Sequence, residues 1–429
     1  MVNSNIESTS ASGSNKPSRR DVVRGAAALG AAMAIPSFVH AAGNDTLKVG
    51  LIGCGGRGTG AANNALNADP NLKIIALGDM FPDKLETSLL GLHQSQHKDR
   101  VEVSKEHQFT GWDAYKGVIE LCDVVLLATP PHFRPMHLKA VIDAGKHVFC
   151  EKPVATDAPG LRSVIETAAK AKEKKLSLVS GLCYRYDDAK IETVKRIHDG
   201  GVGDIINLNV NYLTNGLWSN ARKPEWSDME WQLRNWLYFT WLSGDLITEQ
   251  HIHSLDKMMW VMKDETPAFA VGNGGRACRT EAAYGNVYDH FNTIYEWKSG
   301  LRAFAAARQW DGADSDVSDW VFGTEGRANI QNHEITGKNP WKRKEGKNMY
   351  DLEHVALFKS IRDNAPINNG DYMVKATGMA LMGRMAAYTG KTITWEQALN
   401  SEENLAPAKY EFGPIEVAPI AVPGKTKFA

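Results

Sequence analysis

The chain has 429 residues, 43% of them hydrophobic and 23% charged, and a formal net charge of −1. This is the balance of a globular protein long enough for two domains, and it gives no electrostatic reason to expect nucleic acid as a partner. Cys54, Cys122, Cys150, Cys183 and Cys278 are widely spread with no C-x-x-C, which argues against a disulfide framework and against a zinc site.

Residues 1–42 read as a twin-arginine signal peptide. Ser18-Arg19-Arg20-Asp21-Val22-Val23-Arg24 carries the arginine pair, a Gly/Ala segment runs to Val39, and Val39-His40-Ala41 supplies small residues for cleavage. The apolar segment is too short and too alanine-rich to span a bilayer. Export to the periplasm with no stable membrane insertion after cleavage is the expectation; an uncleaved signal acting as an anchor is the rival.

From Thr46 to Asp79 a short apolar run, Leu47–Ile52, leads into Gly53-Cys54-Gly55-Gly56-Arg57-Gly58 and then a helical segment, Thr59–Ala68. A second apolar run, Lys73–Leu77, ends at Gly78-Asp79. The pattern is G-x-G-x-x-G in its strand–turn–helix setting. Gly53 permits the tight turn, Gly55 lets peptide N–H groups approach a pyrophosphate, and Gly58 lets helix and strand pack closely. The anion then rests on the helix N-terminus. Asp79, at the next strand end, is suited to accept hydrogen bonds from the adenosine ribose hydroxyls and to repel a 2′-phosphate, so NAD is expected over NADP. An ordinary βαβ turn binding nothing is the bland alternative.

Further strand-length runs at Val124–Ala128, His147–Phe149 and Leu176–Val179 alternate with helical stretches. Residues 46–180 are therefore expected to form a doubly wound α/β Rossmann domain with a parallel sheet. Thr129-Pro130-Pro131 follows the third run and suits a loop passing the cofactor crevice. Beyond Leu182 the strands come in succession: Ile205–Tyr212, Ala268–Asn273, Asn292–Trp297, Leu301–Arg308 and Asp319–Phe322, with turns at Gly300 and Gly323–Gly326. Residues 181–405 read as an α+β domain with a largely antiparallel sheet, one face of which could join copies into a homo-oligomer. Helices are expected at Leu352–Asn364 and Val374–Thr389, and the proline-bearing tail 406–429 is expected to lie extended over the surface or a neighbouring subunit.

Three groups of residues could do chemistry. Glu151-Lys152-Pro153 ends the His147–Cys150 run and aims Lys152 at the nicotinamide end of the crevice, where its pKa could be lowered for proton transfer. Ser243–Asp256 predicts a helix capped by Asp245, with Glu249, His253 and Asp256 at i, i+4 and i+7 on one face and His251 pointing nearly the opposite way. A His beside a carboxylate suits removal of a hydroxyl proton. A metal site from Glu249, His251 and His253 is the rival, and no metal is expected. Aromatic density at Trp218, Trp226, Trp231, Trp236, Tyr238, Phe239 and Trp241 suits the C–H faces of sugar rings, although core packing explains part of it.

In order along the chain, GCGGRG, ATPPHFRP, EKP and SGDLITEQHIHSLD resemble the Gfo/Idh/MocA family (glucose–fructose oxidoreductase, inositol dehydrogenase and rhizopine catabolism) over about residues 46–400. The resemblance implies a Rossmann domain, an α+β domain whose sheet often makes the oligomer contact, tightly held NAD(P), and sugar or cyclitol substrates. Lys152 takes the position of the family's active-site lysine and His253 that of its catalytic histidine. Glu249 stands where the family usually has aspartate, and His251 where it has glycine. The GGRG loop with a twin-arginine signal also looks like the NAD-dependent α-N-acetylgalactosaminidases of this superfamily, which carry a tyrosine where this chain has Gln250.

These readings lead to one expectation: a periplasmic NAD-dependent oxidoreductase of a sugar or sugar derivative. Its catalytic residues are Lys152, His253 and Glu249. Gly53, Cys54, Gly55, Arg57, Gly58, Asp79, Thr129, Pro130, Glu151 and Lys152 meet the cofactor, and Tyr184, Arg185, Trp236 and Asp256 meet the substrate. A redox-neutral glycoside hydrolase working by oxidation, elimination, hydration and reduction is second, and a non-catalytic nucleotide-binding sensor third.

Overall fold

The computed structural model describes residues 45–344 and 346–429. The proposed signal segment 1–42 lies outside the described residues. Within them the apolar runs become strands β1 (Leu47–Ile52), β2 (Leu72–Asp79), β3 (Gln108–Thr110), β4 (Val124–Leu127), β5 (His147–Cys150) and β6 (Leu178–Ser180). They form one sheet in the order β3-β2-β1-β4-β5-β6, every pair parallel. The order reverses between β1 and β4, and open α/β sheets bind ligands at that switch point, outside the carboxyl ends of the strands. β1, β4, β5 and β6 are almost wholly buried because helices cover both faces of the sheet.

The second sheet has nine strands: β7 (Ile205–Thr214), β8 (Phe269–Gly275), β9 (His290–Glu296), β10 (Arg302–Gln309), β11 (Asp316–Gly323), β12 (Gly326–Asn329), β13 (Glu334–Gly337), β14 (Trp341–Lys342) and β15 (Ile393–Thr394). Their order is β14-β13-β12-β11-β7-β10-β9-β8-β15. All neighbours are antiparallel except the central β7 and β10, which run parallel. On β10 the buried residues alternate, with Ala303, Ala305 and Ala307 turned inward, the period-two signature of a sheet covered on one face. The helix Ile252–Val261 and the long helix Gly370–Thr389 supply that cover, through Leu255, Met258, Met259, Met379 and Met382 in one shared core. Among the described residues no helix is long and apolar enough to cross a membrane.

Two helices grouped by sequence order with the second domain pack on the Rossmann half as well. Leu357, Phe358 and Ile361 of the helix Met349–Arg362 join the core formed by β1, β2 and the helix Gly56–Ala68. Met373, Val374 and Leu381 of Gly370–Thr389 join the core on the opposite face of the parallel sheet. Sequence position alone does not mark the seam, because the chain returns to the first half after building the second.

Candidate active site

β1 delivers the chain to Gly53, whose φ of +97° is open to glycine and strained for other residues. Five residues on, a Cβ at Gly58 would stand 1.8 Å from the Gly53 carbonyl oxygen, so the helix Gly56–Ala68 can approach the strand only through glycine. Gly55 and Gly56 have nothing within 4 Å of where a Cβ would be, which leaves space above the turn. The helix begins with no side-chain cap and no acidic residue in its first turn. Its first N–H groups thus keep their capacity for an anion at the positive end of the helix dipole. These residues fit a dinucleotide pyrophosphate.

Asp79 ends β2 beside this turn. Its carboxylate accepts from the Cys54 N–H at 2.7 Å and from the Phe81 N–H at 2.9 Å, and burial raises its pKa. Cys54 is itself buried, its thiol 3.5 Å from the Gly78 carbonyl oxygen. Thr129, after β4, is buried with its hydroxyl 3.4 Å from His137 Nδ1, and Pro130 is half-buried beside it.

Arg57 turns toward the end of β5. Its guanidinium pairs with Glu151 and, at 2.9 Å, with Glu353, and it lies 4.8 Å from the centre of the Tyr350 ring. Burial raises the pKa of Glu353, and the neighbouring charge of Glu151 pushes it the same way. Burial acts upward on Glu151 too, but the cations Arg57, Lys152 and Arg134 outweigh it and hold that carboxyl below its usual range. Glu353 was not foreseen. It sits on a helix 296 residues beyond Arg57, and nothing local to its sequence marks it.

The Lys152–Pro153 peptide is cis. Lys152 Nζ donates to the backbone oxygen of Glu249 at 2.7 Å and to its Oε1 at 3.0 Å, joining the end of β5 to the second half of the molecule. The helix expected from Asp245 onward is broken at this contact. Leu246–Glu249 forms one short helix and Ile252–Val261 another. Between them the His251 N–H reaches back five residues to Leu246 O at 3.1 Å, a wide turn of the kind found at functional sites. The His253 N–H bonds Gln250 O, so the Glu249 carbonyl is left to accept from Lys152. The i, i+4, i+7 face is therefore not what gathers these residues; a ruptured turn is.

His253 lies edge-on to the Tyr184 ring, with centroids 5.1 Å apart, and its Nδ1 is buried without a hydrogen-bond partner. Burial lowers its pKa well below the usual histidine value, reinforced by the charges of Lys152, Lys257 and Arg57. His251 is also buried with both ring nitrogens unpartnered, and burial brings its pKa to about 3. Lys257 stands 4.4 Å from the Tyr184 ring centre and pairs with Asp319. Gln250 links to Glu249 and accepts from the Tyr212 hydroxyl at 3.2 Å. No group of three or more His, Cys, Asp or Glu among the described residues is placed to hold a metal ion.

Two of the four expected substrate residues are committed elsewhere. Arg185 Nη2 bonds Asp256 at 2.8 Å and Asp264 at 2.6 Å, while its guanidinium stacks 4.3 Å from the Tyr372 ring centre. With Asp256 buried in that pair, both residues brace the helix rather than present free groups. Trp236 packs against Trp218 with ring centroids 6.0 Å apart and adjoins the aromatic core around Phe239 and Leu242. Tyr184 alone of the four touches His253.

Comparison with known proteins agrees with this geometry. Residues 47–179 match the model of the Gfo/Idh/MocA oxidoreductase family, described as an NAD-binding Rossmann fold. The inositol 2-dehydrogenase of Rhizobium meliloti is 23% identical over 293 residues, 67% of this chain and 76% of the relative. A glycosyl hydrolase family 109 protein of Shewanella pealeana is 24% identical over 236 residues, 53% of this chain, and the match spans half of that relative's length. The crystal structure of an aldose–aldose oxidoreductase from Caulobacter crescentus superposes with a TM-score of 0.63 at 19% identity, covering 81% of this chain and 99% of that one. Residues 47–179 are thus similar to the NAD-binding Rossmann domain of the Gfo/Idh/MocA oxidoreductases.

Proposed function

We propose that this protein is an NAD-dependent oxidoreductase acting on a ring hydroxyl of a sugar or sugar derivative. The observation that carries the reading is the Lys152–Glu249 contact, which sets a cation from the cofactor half beside a histidine kept neutral by burial. NAD, when bound on the Gly53–Gly58 turn, supplies a hydride acceptor. The chain's own residues do the rest. His253 in its neutral form takes the hydroxyl proton, Lys152 stabilises the developing alkoxide, and Glu249 holds the Lys152 ammonium in place. Tyr184 offers an aromatic wall to the substrate. The test is absorbance of reduced nicotinamide while the purified protein meets a panel of hexoses, uronates and cyclitols. Reduction by none of them refutes the assignment.

The Asp79 carboxylate favours NAD over NADP, since a 2′-phosphate would meet a half-buried acidic group. Calorimetry with both dinucleotides decides this. The arginine pair at residues 19–20 supports twin-arginine export to the periplasm, which loss of export in an Arg19→Lys, Arg20→Lys precursor would check. Ile206 and Phe304 stand exposed on the second sheet, which supports a homo-oligomer through that face; light scattering measures it.

A second reading, the NAD-dependent glycoside hydrolase, draws on the glycosyl hydrolase family 109 relative. Release of aglycone from aryl glycosides without net reduced cofactor favours it. Hydride passed between two sugars favours the oxidoreductase.

A further inference from the structure

The carboxyl ends of β2, β3 and β4 carry aromatic residues on the loops that follow: Phe81, Trp112, and His132 with Phe133. These loops flank the part of the crevice where Asp79 stands. The C-terminal tail crosses them. The Phe412 ring lies 6.2 Å from Phe81 at an interplanar angle of 24° and 5.8 Å from Trp112. Tyr410 stands 5.7 Å from Trp112, with its hydroxyl 2.8 Å from His132 Nε2. The strap is anchored through its backbone, Gly413 O accepting from the Met229 N–H at 3.1 Å and Ile415 O from Gln232 Nε2 at 3.3 Å. Arg234, on that same helix Asp228–Arg234, places its guanidinium 3.8 Å over the Phe81 ring and pairs with Asp83 at 3.0 Å.

A strap that merely completed a core would bury its rings. Phe412 instead remains 50% exposed and Tyr410 41% exposed, although both have aromatic partners on the Rossmann side. Flat apolar faces held at the rim of a nucleotide crevice are suited to stack on a purine, whose burial would cover the exposed ring area. We propose that Tyr410 and Phe412, carried by the C-terminal tail and packed on Phe81 and Trp112, present their exposed ring area as the outer wall of the adenine site, and that this wall retains the dinucleotide. The proposal rests on the NAD reading of the Gly53–Gly58 turn and adds to it a ligand contact from the far end of the chain.

The experiment compares the full-length protein with the Tyr410→Ala, Phe412→Ala double variant. Calorimetry uses two halves of the cofactor, ADP-ribose and nicotinamide mononucleotide, and the nucleotide that co-purifies is counted after denaturation. The expected result is an affinity for ADP-ribose about tenfold weaker in the variant, with nicotinamide mononucleotide unchanged and less nucleotide co-purifying. Equal ADP-ribose affinity in the two proteins overturns the wall. So does an equal loss for both fragments, which marks a general disturbance of the fold. A full-length protein that binds neither NAD nor ADP-ribose refutes the cofactor reading itself and the wall with it. Because the double variant keeps the backbone anchors at Gly413 and Ile415, it reports on the rings, and circular dichroism verifies that it stays folded.

Discussion

The glycine turn after β1 and the Leu246–Val261 segment are linked through adjacent residues, Glu151 pairing with Arg57 and Lys152 with Glu249, and are built in opposite ways. The turn works by leaving side chains out: open space at Gly55 and Gly56, a close approach at Gly58, an uncapped helix. The opposing segment works by burying polar side chains, with Glu249, His251, Asp256 and Lys257 all nearly inaccessible. Backbone recognition of an anion needs only correct geometry. Buried ionic and neutral polar groups need partners from several other elements, and each partner missing costs free energy.

The contrast is sharpest in activity. Lys152→Ala removes the cation that pairs with Glu249 and should lower turnover about a thousandfold, roughly 4 kcal/mol of barrier, with a fall in melting temperature because Glu249 is left buried without its counter-ion. Steady-state kinetics with the best sugar measures it, and normal turnover breaks the assignment. Next in size is Gly58→Ala. Its methyl group would collide with Gly53 O, so about 3 kcal/mol of stability and the bound nucleotide should go together. Urea denaturation and nucleotide content check this, and retention of both means the turn is less rigid than its contacts imply.

Glu353→Gln is smaller. Burial and Glu151 raise the Glu353 pKa, so its charged form is disfavoured in the fold, and an amide of the same volume beside Arg57 should change stability in urea denaturation by less than about 1 kcal/mol. The smallest effect concerns pH. Because burial and neighbouring cations depress the His253 pKa, the imidazole stays neutral as pH falls through the ordinary histidine range. Between pH 8 and 6.5, kcat/KM should therefore change less than about twofold through this group. An acid limb with its midpoint near 6.5 would show an ordinary, solvated histidine instead.

The same contrast governs what could be read from sequence. Strand, glycine turn, helix and Asp79 lie within 33 consecutive residues, Leu47–Asp79, and the pattern was complete on inspection. The alternation that marks the parallel sheet was equally local, and only the three-residue β3 escaped notice. Strands β12 to β15, two to four residues long, exist because of their neighbours, and no periodicity develops in so short a span. The broken turn at Gln250-His251 was invisible because its residues tolerate a helix. What breaks it is the capture of the Glu249 carbonyl by a lysine 97 positions earlier. Glu353 is hidden for the same reason, and so is the pairing of Arg185 with Asp256 and Asp264, because a charged side chain in a sequence carries no record of its counter-ion.

Asp79 has a consequence for protein engineering. Its two oxygens hold the Cys54 and Phe81 amides at once, so one carboxylate fastens the phosphate turn to the start of the next helix. Exchanging it for a neutral residue to welcome a phosphorylated ribose would unfasten both segments along with the charge. A swap of coenzyme in this scaffold therefore calls for a replacement that can still accept two amide hydrogens, and a small uncharged substitute is more apt to yield a protein that holds neither dinucleotide.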